Sequence, residues 1–170
     1  IINKINSPYE TKSDYSKRIS KIFMDEYKST INIPTPEGYQ FKVDGKLTPP
    51  NKMQKLIAYK IRQHKRIGNW SGTGSGKTLG ALVASKIIGS SLTVVIGINN
   101  TILDNKTGWC GEIKNAFPDS DIFRKVRKDF NFNKSKTNYL LLNYESFQLP
   151  SSRKLVDDIL ALKQVDMIIL

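Results

Sequence analysis

The stretch Ser71-Gly72-Thr73-Gly74-Ser75-Gly76-Lys77-Thr78, in one-letter form SGTGSGKT, decides how the rest of this chain is read. Three glycines alternate with small hydroxyl residues, and an apolar run of helical character, Leu79 to Ile88, follows at once. Glycines let consecutive backbone N–H groups turn inward around an anion, and a helix start adds about half a positive charge at the same place. The spacing predicts a phosphate cradle over residues 71–78, with the Lys77 ammonium on the outer phosphates and the Thr78 hydroxyl on Mg²⁺. Such loops have glycine where this chain has Ser71, so the match is to a relaxed form; the bland alternative is a surface turn ahead of a helix. Arg66 to Trp70 reads as the strand leading into the loop, although Gly68 and Asn69 interrupt it.

Upstream, Pro49 and Pro50 stand where a helix begins, and Asn51 to His64 reads as that helix. It carries Gln54. A glutamine amide offers one donor and one acceptor, which match the N6 and N7 edge of adenine. Taken alone Gln54 is a surface helical residue; next to a phosphate loop it reads as an adenine contact. Further back, Tyr15 to Tyr27 places Ile19, Ile22, Phe23 and Tyr27 at helical spacing, so one face can pack. Pro34, Pro36 and Gly38 then break the chain, and Tyr39 to Leu47 alternates around Asp44-Gly45, predicting a small hairpin. The expected organisation is a helical and hairpin extension, residues 1–46, before a second unit, residues 47–170.

Downstream, the helix after the loop runs to about Ile88, and Leu92 to Ile98 is a continuous β-branched run suited to a strand covered on both faces. Trp109 to Phe117 reads as a short helix stopped by Pro118, Tyr139 to Leu142 as a strand, Ser152 to Leu162 as a helix, and Met167 to Leu170 as a further strand. Strands alternating with helices predict a three-layer α/β architecture, a mostly parallel sheet with helices on both faces. The basic segment Arg124 to Lys136 reads as a surface loop or an edge.

Composition narrows the classes. Among 170 residues, 39% are apolar and 25% charged, as in ordinary soluble globular proteins. No apolar run approaches the roughly 18 residues that span a bilayer, and IINKINSPYE lacks a signal-peptide layout, so no membrane partner is expected. The single Cys110 excludes an internal disulfide and a cysteine-based zinc site, and the single His64 leaves no histidine constellation for catalysis or metal binding. A reducing cytoplasm, or the nucleoid or nucleus where nucleic acid lies, is the expected location. Lysine and arginine number 27 against 15 acidic residues, a net charge of +12. That excess suits a polyanion such as nucleic acid, or it reflects solvated lysines alone.

In order, LTPPNKMQ (47–54), SGTGSGKT (71–78), TVVIGINNTILDNKTGWCGEIKNAFP (93–118), LLLNYESF (140–147) and VDMIIL (165–170) resemble the motifs of superfamily two helicases and translocases. Swi/Snf-type motors and the helicase domains of restriction and phage proteins are the nearest look. The resemblance covers residues 47–170 and implies a RecA-like P-loop NTPase lobe, incomplete at its C-terminus, with ATP and Mg²⁺ as cofactors. It implies that Gln54 contacts adenine, that Ser71, Gly72, Thr73, Gly74, Ser75, Gly76, Lys77 and Thr78 hold the nucleotide, and that Lys77 and Thr78 are the catalytic pair. It further implies that Asn99, Asn100 and Thr101 touch the nucleic-acid backbone, with Leu103 and Trp109 packing behind them, and that Asn143, Tyr144 and Glu145 end the next strand. The alternative for Asn99 to Thr101 is a helix N-cap cluster, and for Tyr144 it is core packing.

Two departures stand out. Family members carry proline near Ile98, and this chain does not. In the family, the strand resembled by Val165 to Leu170 is followed at once by Asp-Glu, which holds Mg²⁺ through water. The sequence stops one step earlier, and Asp157, Asp158 and Asp166 do not substitute, being placed on a helix or before the strand. The resemblance thus implies a piece of a larger motor, hydrolysing little by itself and partnered by a second RecA-like lobe. Three functions stay open: an ATP-driven motor on nucleic acid, DNA ahead of RNA; a P-loop phosphotransferase acting on a small molecule; and a non-catalytic nucleic-acid-binding module.

Overall fold

The computed structural model describes residues 13–124, 131–162 and 164–170. Helix α1 (Asp14–Ser29) starts at Ser13, whose hydroxyl accepts from the Ser16 amide. It runs into a 3-10 turn (Thr30–Asn32) and then a two-stranded hairpin, β1 (Lys42–Val43) and β2 (Lys46–Leu47), closed by Asp44 and Gly45 at positive φ. Helix α2 (Lys52–His64) begins at Asn51 with a reciprocal capping box to Gln54 and ends at left-handed Lys65. Then come α3 (Lys77–Ile87), β3 (Leu92–Gly97), the short α4 (Asn99–Leu103), α5 (Trp109–Ala116) and β4 (Asp121–Phe123). The chain continues through β5 (Asn138–Asn143), a 3-10 turn (Tyr144–Phe147), α6 (Pro150–Leu162) and β6 (Met167–Ile169).

The main sheet has the order β4-β5-β3-β6, and every pairing in it is parallel. Val94 lies beside Leu140 on one side and Ile168 on the other, which fixes the register. Val95, Tyr139 and Leu141 pack on one face with Leu82 and Val83 of α3 and Ile113 of α5. Leu92, Val94, Leu140 and Leu142 pack on the other with Val156 and Ile159 of α6. Cover on both faces is why these strands carry consecutive apolar residues, Val94 to Ile96 and Tyr139 to Leu142, rather than alternate ones. The expected parallel α/β sheet with helices on both faces is what the chain forms.

Polar groups tie the amino-terminal edge of the sheet. The Asp166 carboxylate accepts from the amides of Ser91 (2.8 Å) and Leu92 (3.0 Å), and buried Asn138 donates to the carbonyls of Ser91, Asn133 and Lys136. Ser85, late in α3, shares a 2.8 Å hydrogen bond with the hydroxyl of Tyr139, which is the second residue of β5. Helix α3 therefore runs against the strands, and its first turn lies at their carboxyl edge.

Several local expectations need correction. Arg66 to Trp70 is not a strand: it makes no ladder bond among the described residues, and a cleft separates it from the free edge of β6. Gly68 and Asn69 weaken its extended preference, and no paired edge is within reach to override that. Strand β4 went unread because three residues show no periodicity. Within Arg124 to Lys136, residues 125–130 lie outside the described residues. Of the α1 positions expected to pack, Ile19, Ile22 and Phe23 stay exposed and only Tyr27 is half-buried. That helix is held to α2 by Lys60–Glu26 (2.8 Å) and by Lys52 over the Tyr27 ring. Ile33 and Tyr39 belong to the main core, Tyr39 meeting Phe117 edge-on. Among the described residues no helix is long and apolar enough to cross a membrane.

Candidate functional site

Two positive-φ glycines shape the loop ahead of α3. Gly74 and Gly76 both have φ of 76°, a conformation that costs an L-residue about 1–2 kcal/mol. Left-handed residues set among right-handed ones turn successive N–H groups to one side, making a concavity for an anion. The Ser75 amide closes a turn onto the Gly72 carbonyl. Ser71, where the strict pattern has glycine, ties the two ends of the loop: its hydroxyl donates to the Asn69 side-chain oxygen (2.7 Å) and lies 2.9 Å from the Ser75 hydroxyl. Lys77 arches back, its ammonium donating to the carbonyls of Ser71 (2.8 Å) and Gly72 (3.1 Å). The segment is curled rather than flat.

Gln54 stands behind this loop and is not a surface residue, being only 5% exposed. Its carbonyl oxygen accepts from the Asn51 amide (2.8 Å), and its NH₂ donates to the Gly76 carbonyl (3.4 Å). Helices α2 and α3 approach closely because Gly80 lacks a side chain; a Cβ there would lie 2.5 Å from Ile57 Cδ1.

Lys77 and half-buried Thr78 open onto a cleft of about 1080 Å³, whose walls include Arg66 and Ile67 on one side and Met167 and Ile169 of β6 on the other. Lys65, Arg66 and Trp109 also line it. Their place at this cleft was missed in the sequence, as was the role of Asn69; the basic pair Lys65-Arg66 just ahead of the loop is the signal that was there to be used.

The strand-end residues gather at the same carboxyl edge. Gly97 and Asn143 pair at the ends of β3 and β5, and Asn143 donates to the side-chain oxygen of Asn99 across the gap (3.2 Å). Asn99, Asn100 and Thr101 form the first turn of α4, where the Thr101 hydroxyl donates to the Ile98 carbonyl (2.8 Å) and none of the three side chains caps a free amide. Asn143 does act as a cap, accepting from the Ser146 amide. Tyr144 is 48% exposed, which corrects the core-packing reading: it opens the 3-10 turn after the strand has left the sheet.

Cys110 is buried, with the Arg124 guanidinium 2.6 Å from its sulfur, and His64 is an exposed helix-end residue. Burial lowers the Lys86 pKa, partly offset by Asp119 and Glu37, and raises that of Glu112. The Thr107 hydroxyl, followed by the amides of Lys106 and Thr107, lowers that of Asp104. Among the described residues no cluster of three histidine, cysteine or acidic side chains forms a metal site. Among the described residues Asp166 is the acid lining the cleft, and it is committed to the Ser91 and Leu92 amides. Asp157 and Asp158 are exposed on α6.

Comparison with protein-family models, with curated proteins and with solved structures gave no match. The chemistry of the site therefore rests on its own geometry: a curled, glycine-bent loop with one ammonium and one hydroxyl at the head of a helix.

Proposed function

We propose that this chain is the ATP-binding, RecA-like lobe of an ATP-driven helicase or translocase acting on nucleic acid, DNA ahead of RNA. One observation carries the reading: the loop bent at Gly74 and Gly76 sits at the start of α3, on the carboxyl edge of a parallel sheet, where open α/β folds bind ligands. The residues suit a triphosphate. Inward N–H groups and the helix start receive anionic oxygens, and Lys77 needs only to exchange two loop carbonyls for phosphate oxygens. For Mg²⁺ the described residues offer the Thr78 hydroxyl, which accords with an ion that keeps most of its waters and leans on the phosphates. Bound Mg²⁺ and ATP would supply the phosphoanhydride energy; these residues hold and orient it. Among the described residues no uncommitted carboxylate lines the cleft, so the lobe alone should turn over little ATP.

Asn99, Asn100, Thr101 and Asn143, side by side at the same edge, are the residues for backbone contacts to nucleic acid, aided by the net charge of +12. A second RecA-like lobe is the partner that would close over the nucleotide. The test is the ATPase rate of the full-length natural protein with and without duplex DNA, single-stranded DNA and RNA. Stimulation by nucleic acid is the expected result. ATPase activity indifferent to every nucleic acid, with phosphate transferred to a small molecule, would replace the motor by a phosphotransferase; nucleic-acid binding without any ATP binding would leave a non-catalytic module.

A further inference from the structure

Strict phosphate loops have glycine at the place of Ser71, yet the backbone here does not require it: residue 71 is not left-handed, unlike Gly74 and Gly76. Resting on the reading of residues 71–78 as a phosphate cradle, we infer that Asn69, Ser71 and Ser75 are positioning residues. Together they form a side-chain latch that holds the loop curled for its ligand and stands in for the usual glycine.

The hydrogen bonds of the latch run in one direction. The Ser71 hydroxyl has a single proton, and it goes to the Asn69 side-chain oxygen at 2.7 Å. In the 2.9 Å contact between the two hydroxyls, Ser75 must therefore donate and Ser71 accept. The same Asn69 oxygen also accepts from the Ser71 amide at 3.2 Å, so both of its lone pairs are used. A backbone N–H requires an acceptor, which fixes the Asn69 amide with its oxygen toward Ser71. Its NH₂ takes no hydrogen bond among the described residues, and Asn69 lines the cleft together with Lys77 and Thr78. The half of this amide left free is thus a donor, which suits a cleft that receives anionic oxygens. Where the latch closes matters as well. Ser75 lies between the two left-handed glycines, and the Ser71 carbonyl also receives the Lys77 ammonium at 2.8 Å. Glycine in place of Ser71 would leave glycine at four of the six positions 71–76. Glycine has the most backbone freedom to lose, and ordering such a loop on binding lowers affinity. The latch does that ordering beforehand.

Titration calorimetry with ATP and with inorganic tripolyphosphate, both with Mg²⁺, compares the wild type with Ser71→Gly, Ser71→Ala, Ser71→Thr and Asn69→Asp. Circular dichroism at the titration temperature establishes that each variant is folded. Ser71→Gly restores the strict pattern and should nevertheless bind both ligands about three- to tenfold more weakly, as should Ser71→Ala. Ser71→Thr keeps the hydroxyl and should stay within about twofold of the wild type. Asn69→Asp keeps the acceptor for Ser71 but sets a carboxylate oxygen where the NH₂ stood, and should weaken both ligands by about tenfold or more. In the unliganded protein, amide exchange over residues 72–76 should be faster in Ser71→Gly than in the wild type. Ser71→Gly binding as tightly as the wild type would overturn the inference. So would a loss confined to Ser71→Ala, which would lay the effect on its Cβ, or an Asn69→Asp without effect. Equal exchange beside weaker binding would make Ser71 a direct ligand contact and overturn the latch too. A wild type that binds neither ligand would instead overturn the cradle on which the inference rests.

Discussion

Replacing the three loop glycines by alanine, one at a time, reads the geometry of the cradle directly, because each meets a different obstacle. At Gly72 a Cβ meets nothing within 4 Å and the backbone is not left-handed, so Gly72→Ala should change stability by less than about 0.5 kcal/mol. At Gly74 there is open space but φ is 76°, and the left-handed strain alone costs about 1–2 kcal/mol. At Gly76 the same φ is joined by a 2.6 Å approach to the Gln54 amide nitrogen. Gln54 must then leave the Gly76 carbonyl, which adds about 0.5–1.5 kcal/mol and brings the total to about 1.5–3.5 kcal/mol. For a chain of this size that is a fall in melting temperature of about 3–14 °C. Urea denaturation and thermal melting of the three variants should rank them Gly72, Gly74, Gly76 in order of increasing loss, and polyphosphate binding should fall in the same order. Equal losses, or a costly Gly72→Ala beside a neutral Gly76→Ala, would refute the left-handed loop and the Gln54–Gly76 contact together.

Other outcomes follow from the scaffold. Asp166→Ala frees the Ser91 and Leu92 amides and should cost about 1.5–3 kcal/mol in urea denaturation, while Asp166→Asn, which keeps an acceptor, should cost less. Burial pushes the Tyr139 phenol up to about 12, partly countered by Ser85. Its folded pKa is above its unfolded one, so stability is full below about pH 10 and is lost as pH rises toward 12, by a few kcal/mol at most (order of magnitude). Tyr139→Phe should therefore lose less stability than the wild type on alkaline titration; parallel curves would contradict this. Binding of nucleic acid should weaken steeply between roughly 50 and 200 mM salt, and salt-independent binding would remove the role given to the charge.

What the sequence made legible follows from how local each signal is. The strand pair Leu92–Gly97 and Asn138–Asn143 was readable because burial on both faces forces apolar residues at consecutive positions, Val94 to Ile96 and Tyr139 to Leu142. The helix from Lys52 was readable because Pro50 and Asn51 mark its start, and the loop because its glycines must bend the backbone. Arg66 to Trp70 misled because a strand exists only if a neighbouring edge pairs with it, which no local pattern reports. Gln54 was found by its spacing, but its bonds to Asn51 and Gly76 depend on how α2 meets α3, a tertiary fact carried by Gly80. Tyr144 defeated a reading by residue type, since an aromatic one step past a strand end is released into solvent.

Melting this chain with Mg²⁺ and ATP, beside Lys77→Ala treated identically, puts the phosphate grip to the most direct trial. With ligand at about 100 times its dissociation constant, the wild type should gain roughly 2.7 kcal/mol, a rise of about 5–11 °C, and the variant should gain almost nothing. A wild type that ATP leaves unmoved, or a variant that ATP stabilises just as well, would contradict the account.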